Sequence, residues 1–81
     1  MNTNELLKLI SGALNIDLSN LKIDSLQENI EEWDSLGHLN ILVQLDKATN
    51  GKASTLPELV EAKSVGDLIK VLSNNNLLKN K

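Results

Sequence analysis

Apolar residues recur at helical spacing in three stretches of this chain, and a long connection studded with apolar residues lies between the first two. Leu6, Leu7, Ile10, Ala13 and Leu14 fall at i, i+1, i+4, i+7 and i+8, one face of an amphipathic helix from about Thr3 to Leu14. Asn2 or Thr3 can cap it, and Glu5 stands favourably in its first turn. Gly12 costs this helix about 1 kcal/mol relative to Ala, so its C-terminal end is the weaker one. From Asn15 to about Trp33, the residues Ile16, Leu18, Leu21, Ile23, Leu26 and Ile30 are too regular for a solvated linker. They predict a loop tacked onto the core, with a short turn of helix. So long a loop in so small a domain usually has a role. Antiparallel helices joined by short loops would not need it, so the first two helices are expected to run roughly parallel.

The second helix is predicted from Ser35 to about Thr49. Leu36, Leu39, Leu42, Val43 and Leu45 give it a broad apolar face, with Ile41 and Ala48 alongside. Asn50-Gly51 ends it, because Gly accepts the left-handed backbone of a helix C-terminus. After the polar loop from Lys52 to Leu56, Thr55-Leu56-Pro57-Glu58 has capping-box spacing and opens a short third helix to about Ala62. Ser64, with Asp67 three residues on, caps a fourth. Val65, Leu68, Ile69 and Leu72 form its stripe, and it ends near Ser73. The tail 74–81 is expected to fray, although Leu77 and Leu78 can dock. No internal repeat is visible.

Composition makes these helices one small domain over residues 1–81, ordered from about 3 to 73. Eighty-one residues bury a thin core and leave little wall for a deep active-site pocket. The core residues are aliphatic and Trp33 is the only aromatic, which points to an all-α fold. The absence of cysteine excludes a disulfide framework, a thiolate zinc site and a cysteine nucleophile. It also fits a reducing cytoplasm. One histidine argues against a histidine-based metal site, so none is expected. No basic segment precedes Leu6 and no apolar run is long enough for a bilayer, so neither a signal peptide nor membrane insertion is expected. Eight Lys, no Arg and eleven acids give a net charge of −3. Without a basic patch or stacking aromatics, nucleic-acid binding is not expected. The mildly acidic surface suits basic partner proteins, and equally suits solubility.

Among seven serines, Ser35 stands apart. Asp34 can be the N-cap, which puts Ser35 at the first helical position beside free backbone N–H groups. That positive end of a helix stabilises a phosphate. Gly37 in the same turn removes bulk beside the serine and opens it to an enzyme. On local grounds alone, the plain capping pair is the favoured reading of Asp34-Ser35, because such pairs are common at helix starts.

The surrounding chain resembles the acyl carrier protein family. The resemblance rests on Asp34-Ser35-Leu36 opening an aliphatic helix, with Leu39, Leu42, Val43 and Leu45 behind it. It extends to the long loop before and the two helices after, over about residues 3 to 73. It implies a four-helix bundle with a long loop between helices I and II and a short helix III. It implies no enzyme but a carrier, modified by a phosphopantetheinyl transferase that uses coenzyme A and Mg²⁺. 4′-Phosphopantetheine would be joined through its phosphate to Ser35, and its thiol would carry acyl or aminoacyl groups as thioesters. The missing cysteine agrees, because the working thiol is borrowed. Asp34 would cap the helix and serve transferase recognition, and Leu36 would contact partners. A carried chain would tuck along Leu39, Leu42, Val43, Leu56 and Val60. Further partners implied are a loading enzyme and a downstream acyltransferase or synthase, in fatty-acid or secondary-metabolite biosynthesis.

Departures narrow the reading. Gly37 and His38 stand where many fatty-acid carriers have an acid, and the second helix carries only Asp46. Its end lacks the family's frequent phenylalanine. The acids Glu28, Glu31, Glu32 and Asp34 lie upstream instead, as a docking patch or a solvated face. These features favour a specialised, stand-alone, monomeric carrier over the housekeeping one. A peptidyl carrier fits less well, because Trp33-Asp34 replaces the usual Gly-rich approach. Trp33 is expected to anchor the loop where it meets the second helix. His38 is expected on the surface. It invites comparison with a Ser/His/Asp hydrolase, for which no oxyanion hole or pocket is evident. The other rival is a helical adaptor that is never modified.

Overall fold

A computed structural model describes residues 1–79; the last two residues of the tail lie outside the described residues. Three α-helices form, α1 (Thr3–Leu14), α2 (Ser35–Ala48) and α3 (Val65–Asn74), with no strands among the described residues. The all-α class is as expected, with three α-helices rather than four.

Helix α1 begins at a reciprocal cap. Asn2 Oδ1 accepts from the Glu5 N–H at 2.8 Å, and Glu5 Oε1 accepts from the Asn2 N–H at 2.9 Å. It ends at Asn15, whose φ of 57° is the left-handed turn that asparagine tolerates. Leu6, Ile10 and Leu14 are its buried stripe, one residue per turn. Its last turn lies against the first turn of α2, where a Cβ on Gly37 would stand 2.8 Å from Leu14 Cδ2. The end of α1 thus meets the start of α2, whereas the expected parallel pair would bring start to start. The long loop spends its length on a detour to α3. The Gln27 N–H donates to the Lys63 carbonyl at 2.8 Å, and the Val65 N–H to the Ser25 carbonyl at 3.0 Å. On the way it makes short 3-10 turns at Leu18–Asn20 and Gln27–Asn29. Leu21 is buried and Ile16 and Ile30 pack against the core, whereas Leu18, Ile23 and Leu26 are exposed.

Helix α2 buries a different face from the one predicted. Gly37, His38, Ile41 and Leu45 point inward. Leu36, Leu39 and Val43 are 67%, 54% and 43% exposed, and Leu42 is half-buried. The helix is apolar on two sides, so its pattern alone does not choose between them; the buried side is the one that carries His38, which bonds to Trp33. At its C-terminus Asn50 and Gly51 both take positive φ, as Asn50-Gly51 predicted.

The predicted third helix is wound more tightly. Leu59, Val60, Glu61 and Ala62 each donate to the carbonyl three residues back, at 3.0–3.3 Å. This i→i+3 winding stacks Leu59 and Ala62 directly above one another on one buried side. Thr55 does not cap it; its hydroxyl donates to the Lys52 carbonyl at 2.7 Å. Ser64 does cap α3, accepting from the Asp67 N–H at 2.9 Å, while Asp67 Oδ2 accepts from the Lys63 N–H at 3.0 Å. Beyond α3 the chain docks as far as it is described. Leu78 is buried and the Lys79 N–H donates to the Met1 carbonyl at 2.8 Å.

Candidate functional site

Asp34 sets the start of α2. Its Oδ1 accepts from the Gly37 N–H at 2.8 Å, and its carbonyl accepts from the His38 N–H at 2.8 Å. Ser35 is therefore the first helical residue, and it is exposed. The N–H groups of a first turn have no intrahelical acceptor, so the hydroxyl stands at the positive end of the helix. Leu36 follows on the surface and shares a shallow hollow with Glu32, Asp34 and Asn40. Acidic and apolar groups thus lie side by side at the serine. Glu28 and Glu31 are exposed as well.

Gly37 does not serve Ser35 as expected. It is buried, and a Cβ there would run into the Glu32 carbonyl oxygen as well as Leu14. Its role is to let the loop and α1 approach the helix.

His38 is also corrected. It is 8% exposed, and both ring nitrogens are engaged. Trp33 Nε1–H donates to Nδ1 at 2.9 Å, and Nε2 lies 2.8 Å from the Leu59 carbonyl oxygen. A carbonyl only accepts, so Nε2 carries the proton and Nδ1 the lone pair; a single neutral tautomer satisfies both bonds. The two ring planes lie within 17° of parallel, with centroids 6.1 Å apart. Neither nitrogen is left for the Ser35 hydroxyl, so the Ser/His/Asp comparison finds no base here. Trp33 is 2% exposed and is the anchor that the sequence indicated.

A groove of about 450 Å³ opens beside Ser35. Leu39 and Leu42 line it from α2, Val60 and Lys63 from across it, and His38 lies between. A second groove of about 340 Å³ continues along α2, walled by Leu42, Val43, Leu56, Pro57 and Val60. Leu42 and Val60 belong to both. Of the five residues expected around a carried chain, Leu39, Leu42 and Val60 line the groove at the serine and Leu42, Val43, Leu56 and Val60 the second, so the trough is in two parts that share Leu42 and Val60. Asp46 lines its far end, and its Oδ1 is buried without a hydrogen-bond partner among the described residues. Among the described residues, no group of three or more acidic or histidine side chains is placed to hold a metal ion. No helix there is long and apolar enough to cross a membrane.

The Trp33–His38–Leu59 connection escaped the sequence reading. A signal was present: His38, Ile41 and Leu45 fall at i, i+3 and i+7, a core stripe with a histidine in it.

No protein-family model, curated protein or solved structure matches this chain.

Proposed function

We propose that this chain is an acyl carrier protein that bears 4′-phosphopantetheine on Ser35. The observation that supports this most is the pairing of an exposed serine at the first position of α2 with an apolar trough that begins beside it. The residues suit the group. Its phosphate would sit at the helix N-terminus, where backbone N–H groups and the helix dipole favour negative charge. The trough along Leu39, Leu42 and Val60 would take an apolar chain. When attached, the group supplies a thiol that holds acyl or aminoacyl units as thioesters. The protein itself contributes the exposed hydroxyl, the Asp34 cap that orders it and the sheltering trough. It is a substrate of other enzymes and needs no base of its own.

In this reading the fold is the carrier's four-element arrangement, with the 3-10 winding up to Ala62 in place of helix III. Leu36, flanked by Glu32 and Asp34, is the surface that a phosphopantetheinyl transferase and a loading enzyme would meet. An apolar spot rimmed by acids fits partners that present basic side chains around an apolar one. The protein works in the cytoplasm as a specialised monomeric carrier, serving a downstream acyltransferase or synthase.

Incubation with coenzyme A, Mg²⁺ and a permissive transferase tests the reading. The expected result is a mass gain of one phosphopantetheine, lost in Ser35→Ala. The exposure of Leu36 and Leu39 also favours a second reading, an unmodified adaptor that binds a partner through α2. No mass gain with several transferases would decide for the adaptor.

A further inference from the structure

The trough beside Ser35 has two walls, and polar contacts join them near both ends. At the far end the Ala53 N–H donates to Thr49 Oγ1 at 2.9 Å, tying the chain after α2 back to the helix. At the serine end, the join is His38 Nε2 to the Leu59 carbonyl, 2.8 Å. Val60, the next residue, forms the rim opposite Leu39 and is 64% exposed. The rim itself faces solvent, between the buried side chains of Leu59 and Ala62, and the Leu59 carbonyl is its polar contact with α2.

The bond to Leu59 requires a proton on Nε2. The proton is kept there by Trp33, whose N–H can only donate and so demands a bare Nδ1. Trp33 lies two residues before Ser35 and His38 three residues after it. The side-chain bridge therefore brackets the serine and passes the constraint across to the opposite wall. All three residues are buried, where a hydrogen bond left unmade costs more than it does at the surface.

We infer that His38 is a positioning residue: through Leu59 it holds the outer wall of the trough at the distance from Ser35 that shelters a chain attached there. The inference rests on the carrier reading for its functional meaning, and on the Trp33–His38–Leu59 geometry for its mechanism. Without the join, the buried side chains of Leu59 and Ala62 and the Gln27–Lys63 bond still hold the wall, but its serine end loses its polar tie to α2.

The test loads the chain with an octanoyl arm from octanoyl-coenzyme A and a transferase, then adds hydroxylamine. Its nitrogen attacks the thioester carbonyl, the hydroxamate forms and the arm's thiol leaves. His38→Phe keeps the bulk and loses both bonds. It should be cleaved about tenfold faster than the wild type, equivalent to about 1.4 kcal/mol of closing free energy. His38→Gln can accept from Trp33 and donate to Leu59, and should restore the slow rate. Ile41→Val loosens the core under α2 without touching either bond, and should also stay slow. A wild-type rate in folded His38→Phe, or an equally fast Ile41→Val, overturns the inference. If His38→Phe does not fold, the ¹⁵N signals of wild-type His38 decide. A proton on Nε2 supports the inference, and a proton on Nδ1 overturns it. A wild-type chain that accepts no arm refutes the carrier reading. The wall is then tested in the unmodified protein by amide exchange at Val60–Ala62, which should be faster in His38→Phe; equal exchange overturns the join.

Discussion

Gly37 and Trp33 show how much the site depends on single side chains. Gly37→Ala places a methyl against the Glu32 carbonyl and Leu14 Cδ2, with backbone on one side and a packed core on the other. It should lower stability by about 1–3 kcal/mol, read from the urea midpoint, as overpacked sites do. Trp33→Phe keeps most of the buried ring but removes the donor to His38. It should shift the His38 ring nitrogens toward a mixture of tautomers, seen directly by ¹⁵N NMR. An unchanged spectrum would mean that Leu59 alone fixes the ring. The position of Ser35 was legible because capping is local: Asp34 needs only the next few residues to work. The roles of Gly37 and His38 were not legible. They depend on Leu14 and Leu59, which lie more than twenty residues away in the sequence and meet the helix only in the folded chain.

At the level of the elements, the same division recurs. Caps at Asn2, Asp34 and Ser64 stand where the sequence put them, because each pairs with a residue three positions on. Ser64→Ala should therefore cost about 1 kcal/mol of stability in thermal or denaturant unfolding, and Thr55→Ala should cost far less, since Thr55 caps nothing. The face of α2 was misread because leucines occupy both of its sides. A helix of this kind needs its neighbours to say which side is inside. The outer side gives a clean expectation: Leu39→Asp should leave the unfolding midpoint nearly unchanged, because the side chain is already 54% exposed. The same change should weaken any partner that docks on α2, measured by titration calorimetry. The stretch from Pro57 to Ala62 was legible as a wound segment but not as a 3-10 one. An i, i+3 pair such as Leu59 and Ala62 shares a face in either winding, so the spacing does not distinguish them.

The whole molecule has a radius of gyration of 11.2 Å and is built around one aromatic side chain. Because Trp33 contacts the site as well as the core, its fluorescence should report global unfolding, with a transition that coincides with loss of helical circular dichroism. A fluorescence change at lower denaturant would reveal that the site opens before the bundle does. Leu78→Ala should destabilise the fold by about 2–4 kcal/mol, since that side chain is buried at the seam between the two ends of the chain. That seam has a further consequence. Lys79 meets Met1 at the beginning of α1, while the other end of α1 touches the turn that carries Ser35. Twelve helical residues separate the two places, about 18 Å at 1.5 Å per residue. A tag or surface linker joined near Met1 or Lys79 would thus take hold about one length of α1 away from the turn that carries Ser35, and would leave that turn uncovered.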